Sequence, residues 1–175
     1  WPWGSLRADR EALCPSSRLP AARRRGPTGA RSRETPQAAG PVILVDAGPL
    51  VALAYRSDSH HAACVAALER MSGPLATVWP ALTEAIYLVQ RWPRAQAEIL
   101  TLVETGALRL LPVGREDMPR VSALMEKYRD LPMDLADAVL VRVAERERVR
   151  TIFTIDRRDF SVYRPSGLGK FKIVP

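Results

Sequence analysis

Residues 42–53, VILVDAGPLVAL, decide how this chain folds. Four apolar residues, Val42 to Val45, run into a single carboxylate, Asp46. Ala47, Gly48 and Pro49 follow, and an apolar helical pattern then begins. A short apolar run bounded by Gly and Pro reads as a buried strand. Asp46 therefore stands at the carboxyl end of a strand, on the rim where open α/β sheets build their sites. An unpaired charge cannot sit in the apolar core below that rim, so the carboxylate needs a cation, a hydrogen-bond network or water. Pro49 suits a first helical turn, where its missing N–H costs nothing. Two readings of Asp46 stay open on this stretch alone: a cap for the following helix, or a member of a site.

Outward from this stretch, strands and helices alternate. Helices are expected over about 49–54 and over 61–71, the second with Ala62, Val65, Ala66 and Leu68 on its apolar side. A strand follows at 75–78. Pro80 opens a helix that Pro93 breaks or reopens, and the helical pattern runs to about Val103. Residues 107–113 read as a strand, and 116–128 as a helix with Val121, Leu124, Met125 and Tyr128 inward. Asp134 starts a long helix to about Arg146. Residues 151–154 form a strand, and 171–174 a last, edge strand. This alternation predicts an α/β fold over 42–175: a three-layer α/β/α sandwich around a mostly parallel four- to five-stranded sheet. Neither GxGxxG nor GxxxxGK[ST] occurs, which removes the usual dinucleotide and P-loop readings.

The chain has 175 residues, 47% hydrophobic and 26% charged, as a single globular domain does. No apolar run approaches the roughly 18 residues of a membrane span. Cys14 and Cys64 fit no metal spacing, and a reducing, cytoplasmic setting is expected. The net charge of +7 is unevenly spread. Residues 1–41 hold 8 Arg against Asp9, Glu11 and Glu34, a net +5, and are rich in Pro, Gly, Ser and Ala. They are read as a disordered basic extension, because such a segment cannot bury enough surface to offset its ordering entropy. Residues 42–175 carry only a net +2, which argues weakly for nucleic-acid binding.

Carboxylates supply the chemistry. Asp156 ends the run TIFTID as Asp46 ends VILVD, and if the two strands are neighbours both acids share one crevice. Glu84 lies in the first turns of the Pro80 helix among apolar neighbours. Asp134 and Asp137 stand at i and i+3 on one helix face, Asp134 as the natural N-cap. Carboxylates gathered in one crevice need a cation, or some must take up protons. All-oxygen ligands suit Mg²⁺ or Mn²⁺, and the matching chemistry is metal-assisted hydrolysis of phosphodiesters. Thr154 is placed to hydrogen-bond a ligating carboxylate or a phosphate. Asp159 either stabilises the turn after Asp156 or approaches the metal.

VDAGPLVAL at 45–53, WPALTEAIYLV at 79–89, MDLADAVLVRVAE at 133–145 and TIFTIDRRDF at 151–160 resemble a PIN domain, and more narrowly the VapC toxins of type II toxin–antitoxin systems. The resemblance implies a magnesium-dependent endoribonuclease, with Mn²⁺ as substitute. It implies an RNA substrate, a cognate VapB-type antitoxin and a homodimer. Its four acids match Asp46, Glu84, Asp137 and Asp156, with Asp134 reaching the site through water. Residues 1–41 have no counterpart in that family. Two other readings are a catalytically silent PIN-like RNA-binding or regulatory domain and a small-molecule metal phosphatase. The full set of acids argues against the first, and the lack of an Asp-x-Asp nucleophile pair against the second.

Overall fold

The computed structural model describes residues 40–131 and 133–175. The expectation of disorder for residues 1–41 lies, apart from Gly40 and Pro41, outside the described residues.

Five short strands form one sheet: β1 (Ile43–Val45), β2 (Leu75–Thr77), β3 (Leu108–Leu110), β4 (Thr151–Phe153) and β5 (Lys172–Val174). Their order is β3-β2-β1-β4-β5 and every pairing is parallel. The chain thus winds outward from β1 through β2 to β3, then returns to place β4 on the other side of β1. That reversal is the topological switch point of the sheet, where a crevice opens beyond the strand ends. Val45 of β1 stands opposite Phe153 of β4, so Asp46 and the segment after Phe153 emerge side by side.

Strand periodicity divides the core in two, because successive side chains point to opposite faces. Ile43, Val45 and Phe153 belong to one buried cluster with α1 (Ala47–Ala54), α2 (His61–Leu68), α3 (Trp79–Leu88) and α4 (Pro93–Glu104). Leu44, Ala76 and Ile152 join the other, with α5 (Met118–Lys127), α6 (Leu135–Glu147) and α7 (Arg157–Val162). This is the expected three-layer arrangement, with the sheet wholly parallel. Leu44 and Phe153 are fully buried, worth roughly 1.5–3 kcal/mol each. α3 packs against both α1 and α6, with Ala81 in one cluster and Leu82 and Ala85 in the other.

Local details depart from the sequence pattern. α1 starts at Ala47, two residues before Pro49, because the Asp46 side chain accepts from Ala47 N–H at 2.7 Å and caps it. α2 stops at Leu68 and buries Cys64 and Ala67, while Ala62 is exposed. Alanine is apolar on every face, so its periodicity does not orient a helix. Met125 likewise lies outward, 37% exposed, and Val121, Leu124 and Tyr128 alone turn in. α7 was not expected, since six residues are too few for a helical period to show. No helix among the described residues is long and apolar enough to cross a membrane.

Candidate metal centre

Asp46 is held where β1 ends. Its backbone N–H still donates to Phe153 O at 3.0 Å, continuing the β1–β4 ladder by one residue. The residue is buried, 8% exposed. One oxygen accepts from Ala47 N–H and the other from the Thr154 hydroxyl, at 2.8 Å. Thr154 Oγ1 in turn accepts from Asp156 N–H at 3.0 Å. A buried threonine therefore links the two strand ends, and of its two expected roles it takes the bond to the carboxylate. Gly48 makes the same junction possible: a Cβ there would come within 2.5 Å of Ile155 Cγ1.

Asp156 is exposed at the start of α7, and its side chain accepts from Asp159 N–H at 3.0 Å. That bond uses the Asp159 backbone N–H. Asp134 caps α6, its carboxylate accepting from Asp137 N–H at 2.8 Å. Asp137 falls at the third helical residue and is half-buried. Its Oδ2 accepts from the Tyr163 hydroxyl at 2.9 Å. Glu84 is half-buried on α3, and shares with Asp134 the wall of an open cleft of about 650 Å³ that Trp79, Tyr87 and Leu135 also line.

The electrostatics tie these residues together. Burial raises Asp46 above the usual carboxylate range against the pull of its two donors, and the charges of Asp134 and Asp156 add to the rise. Glu84 is raised by burial, then by Asp134 and Asp46. Asp137 is pushed up to about 8, first by burial and then by Asp134 and Asp46, while the Tyr163 bond works the other way. Among the described residues, no ion pair reaches Asp46, Glu84, Asp134, Asp137 or Asp156. The donor set is oxygen only and mutually repelling, running from buried Asp46 to exposed Asp156, which suits a hard divalent cation. Among the described residues no three His, Cys, Asp or Glu side chains already stand as a ready-made ligand group. The acids act on one another through their charges.

Sequence reasoning missed Tyr163. Nothing in its neighbourhood marks it, since its partner lies 26 residues earlier in the chain. His61 is partly buried, with Nδ1 2.7 Å from Ala52 O. His60 is exposed.

The PIN domain family model matches residues 43–164. Ribonuclease VapC26 of Mycobacterium tuberculosis is 33% identical over 135 residues, covering 76% of this chain and all of the relative. Among solved structures, VapC20 of M. tuberculosis, described as a sarcin-ricin loop cleaving toxin, superposes with a TM-score of 0.62 at 17% identity. The match covers 66% of this chain and 91% of that one. A toxin–antitoxin complex from Klebsiella pneumoniae gives 0.55 at 16% identity, over 76% and 96% of the two chains. These two likenesses speak for the fold, and the family model and the ribonuclease relative for descent. The chain belongs to the PIN domain family, among its VapC ribonucleases.

Proposed function

We propose that this chain is the toxin of a toxin–antitoxin pair, a metal-dependent endoribonuclease whose site is Asp46, Glu84, Asp137 and Asp156. The reading is supported by Asp46 and the Asp156 segment leaving adjacent strands β1 and β4, and by burial together with mutual charge raising Asp46, Glu84 and Asp137 above their ordinary pKa. Mg²⁺, with Mn²⁺ as substitute, is the ion that carboxylate oxygens and water accommodate best. Such an ion supplies a water of lowered pKa and charge neutralisation at the phosphate.

The chain's own residues supply the rest. Thr154 and Ala47 N–H fix both oxygens of Asp46, so that carboxylate does not wander. Asp134 anchors the first turn of α6 and so sets where Asp137 projects. Glu84 brings a fourth carboxylate from α3, across the cleft. RNA as substrate is supported by the ribonuclease relative and by the cleaving toxin of the same fold. A VapB-type antitoxin is supported by the Klebsiella complex and by the resemblance of the four motifs. The resemblance also supports a homodimer in the cytoplasm, and exposed Tyr87, Leu88 and Trp92 offer apolar surface for such a contact.

The silent RNA-binding reading draws on one observation, that no three acids among the described residues are already arranged as ligands. Cleavage of total RNA by the full chain, with Mg²⁺ or Mn²⁺ against EDTA, separates the two. Discrete, metal-dependent fragments are expected, falling by more than about 100-fold in Asp46→Asn and Asp137→Asn, since even the outer partners of metal ligands cost 10–100-fold. A fragment pattern shared by the wild type and both variants, with or without metal, overturns the proposal.

A further inference from the structure

α7 joins two acids of the site to one aromatic cluster. Asp156 caps its start, and Tyr163 follows its last residue, Val162. The Tyr163 ring is fully buried. It meets Tyr128 edge-on at 5.1 Å and Phe160 at 5.3 Å between ring centroids. The Tyr128 hydroxyl accepts from Arg164 N–H at 2.9 Å. Ring packing against Tyr128 and Phe160 is what places the Tyr163 phenol. It aims at Asp137 Oδ2.

A buried phenol needs a hydrogen-bond partner, and a backbone carbonyl would satisfy it as well as a carboxylate. Here the partner is a carboxylate, Asp137 Oδ2, at 2.9 Å. Carboxylates that ligate metals are commonly hydrogen-bonded in turn by residues behind them, which set their orientation. We propose that Tyr163 is a positioning residue for the metal centre: its hydroxyl holds one oxygen of Asp137 so that the other is presented to a divalent cation. This rests on the metal-nuclease reading above. Asp137 is then doubly determined, by the Asp134 cap on its backbone and by Tyr163 on its side chain.

The test is Mn²⁺ binding by the full chain without RNA, read as free Mn²⁺ by electron paramagnetic resonance. Tyr163→Phe is expected to weaken Mn²⁺ binding about 10-fold, while Tyr128→Phe, which removes a hydroxyl from the same cluster but none from an acid, stays within about twofold of wild type. Both variants lose one buried hydrogen bond, so their melting midpoints fall together and do not account for the difference. Wild-type affinity in Tyr163→Phe, with binding lost in Asp137→Asn, overturns the role of Tyr163 and leaves the metal centre standing. Wild-type affinity in Asp137→Asn overturns both.

A second measurement needs no substitution at position 163. The chain has four tyrosines, so ¹³Cζ resonances of labelled wild-type protein can be assigned by replacing the other three with Phe. Titration with Mg²⁺ is expected to move the Tyr163 signal saturably. A Tyr163 signal unmoved at saturating Mg²⁺ overturns the proposal.

Discussion

Near its carboxyl end, α6 carries Glu145, which accepts from Arg120 at 2.7 and 2.9 Å and from Ser166 N–H at 2.7 Å. Asp137 lies eight residues earlier, about 12 Å along the same axis, and has a phenol and other acids for company. The contrast extends to Asp117, whose side chain is fully buried yet bound by Arg142 at 2.9 Å, Arg146 at 2.6 Å and Gly114 N–H at 3.1 Å. Asp117 and Glu145 are both driven below the ordinary carboxylate range, since these donors outweigh burial. Asp137, half-buried without a cationic partner among the described residues and with neighbouring charge of its own sign, is driven the other way. One end of the helix uses buried acids to bind α5 and the turn before it to α6. The other end gathers acids that cap helices, as Asp134 does, but that meet no guanidinium among the described residues. Local rules broken at a cost in stability are what a functional site looks like.

The largest effect is expected from breaking the paired end. Asp117→Ala leaves two guanidinium groups without their acceptor and should cost about 3 kcal/mol of stability, toward the low end for a broken buried pair because Arg142 and Arg146 keep some access to water. Urea denaturation at neutral pH measures it. The same residue shapes the acid limb. Its folded pKa lies below the unfolded value of about 3.9, so its contribution is full above about pH 4 and is lost as pH falls through the folded value. Asp117→Asn should therefore flatten the fall in urea midpoint between pH 5 and 2, and an unchanged slope would remove Asp117 from the account.

At the crowded end, a cation should stabilise where protons or repulsion now prevail. Mn²⁺ at about 100 times its dissociation constant is expected to add about 2.7 kcal/mol to the wild type and raise its melting midpoint, and to do much less in Asp137→Asn. Equal shifts in both proteins would mean that the ion binds elsewhere. The smallest effect is expected where neither crowding nor burial operates. Glu126 and Arg129 pair at 3.0 Å with side chains 73% and 68% exposed, and Glu126→Ala should change stability by no more than about 0.5 kcal/mol. A larger loss in the same denaturation series would show that exposure is not what separates these acids.

Much of the rim was legible in the chain. Asp46 and Asp156 stand out because an apolar strand running into a lone carboxylate leaves that charge nowhere to go but the rim. Asp134 stands out because a cap must precede an apolar helical period. Asp117 was not legible: an acid before a helix reads as a first-turn residue, and its two guanidinium partners lie 25 and 29 residues further on. Nor was Tyr163, since an aromatic after a six-residue helix carries no pattern of its own.

Sequence by itself determined the alternation of strands and helices and the mostly parallel sheet, because hydrophobic period, Gly and Pro punctuation and capping residues act over a few neighbours; the family was carried by the resemblance of four motifs. Tertiary structure alone decided that β4 lies beside β1 and brings Asp156 to Asp46. It also decided that Thr154 bridges that junction, that Tyr163 holds Asp137 and that Arg142 and Arg146 quench Asp117. Those contacts join residues 25 to 108 positions apart. Their energies depend on burial and on the sign of nearby charge, which exist only once the chain has closed around them.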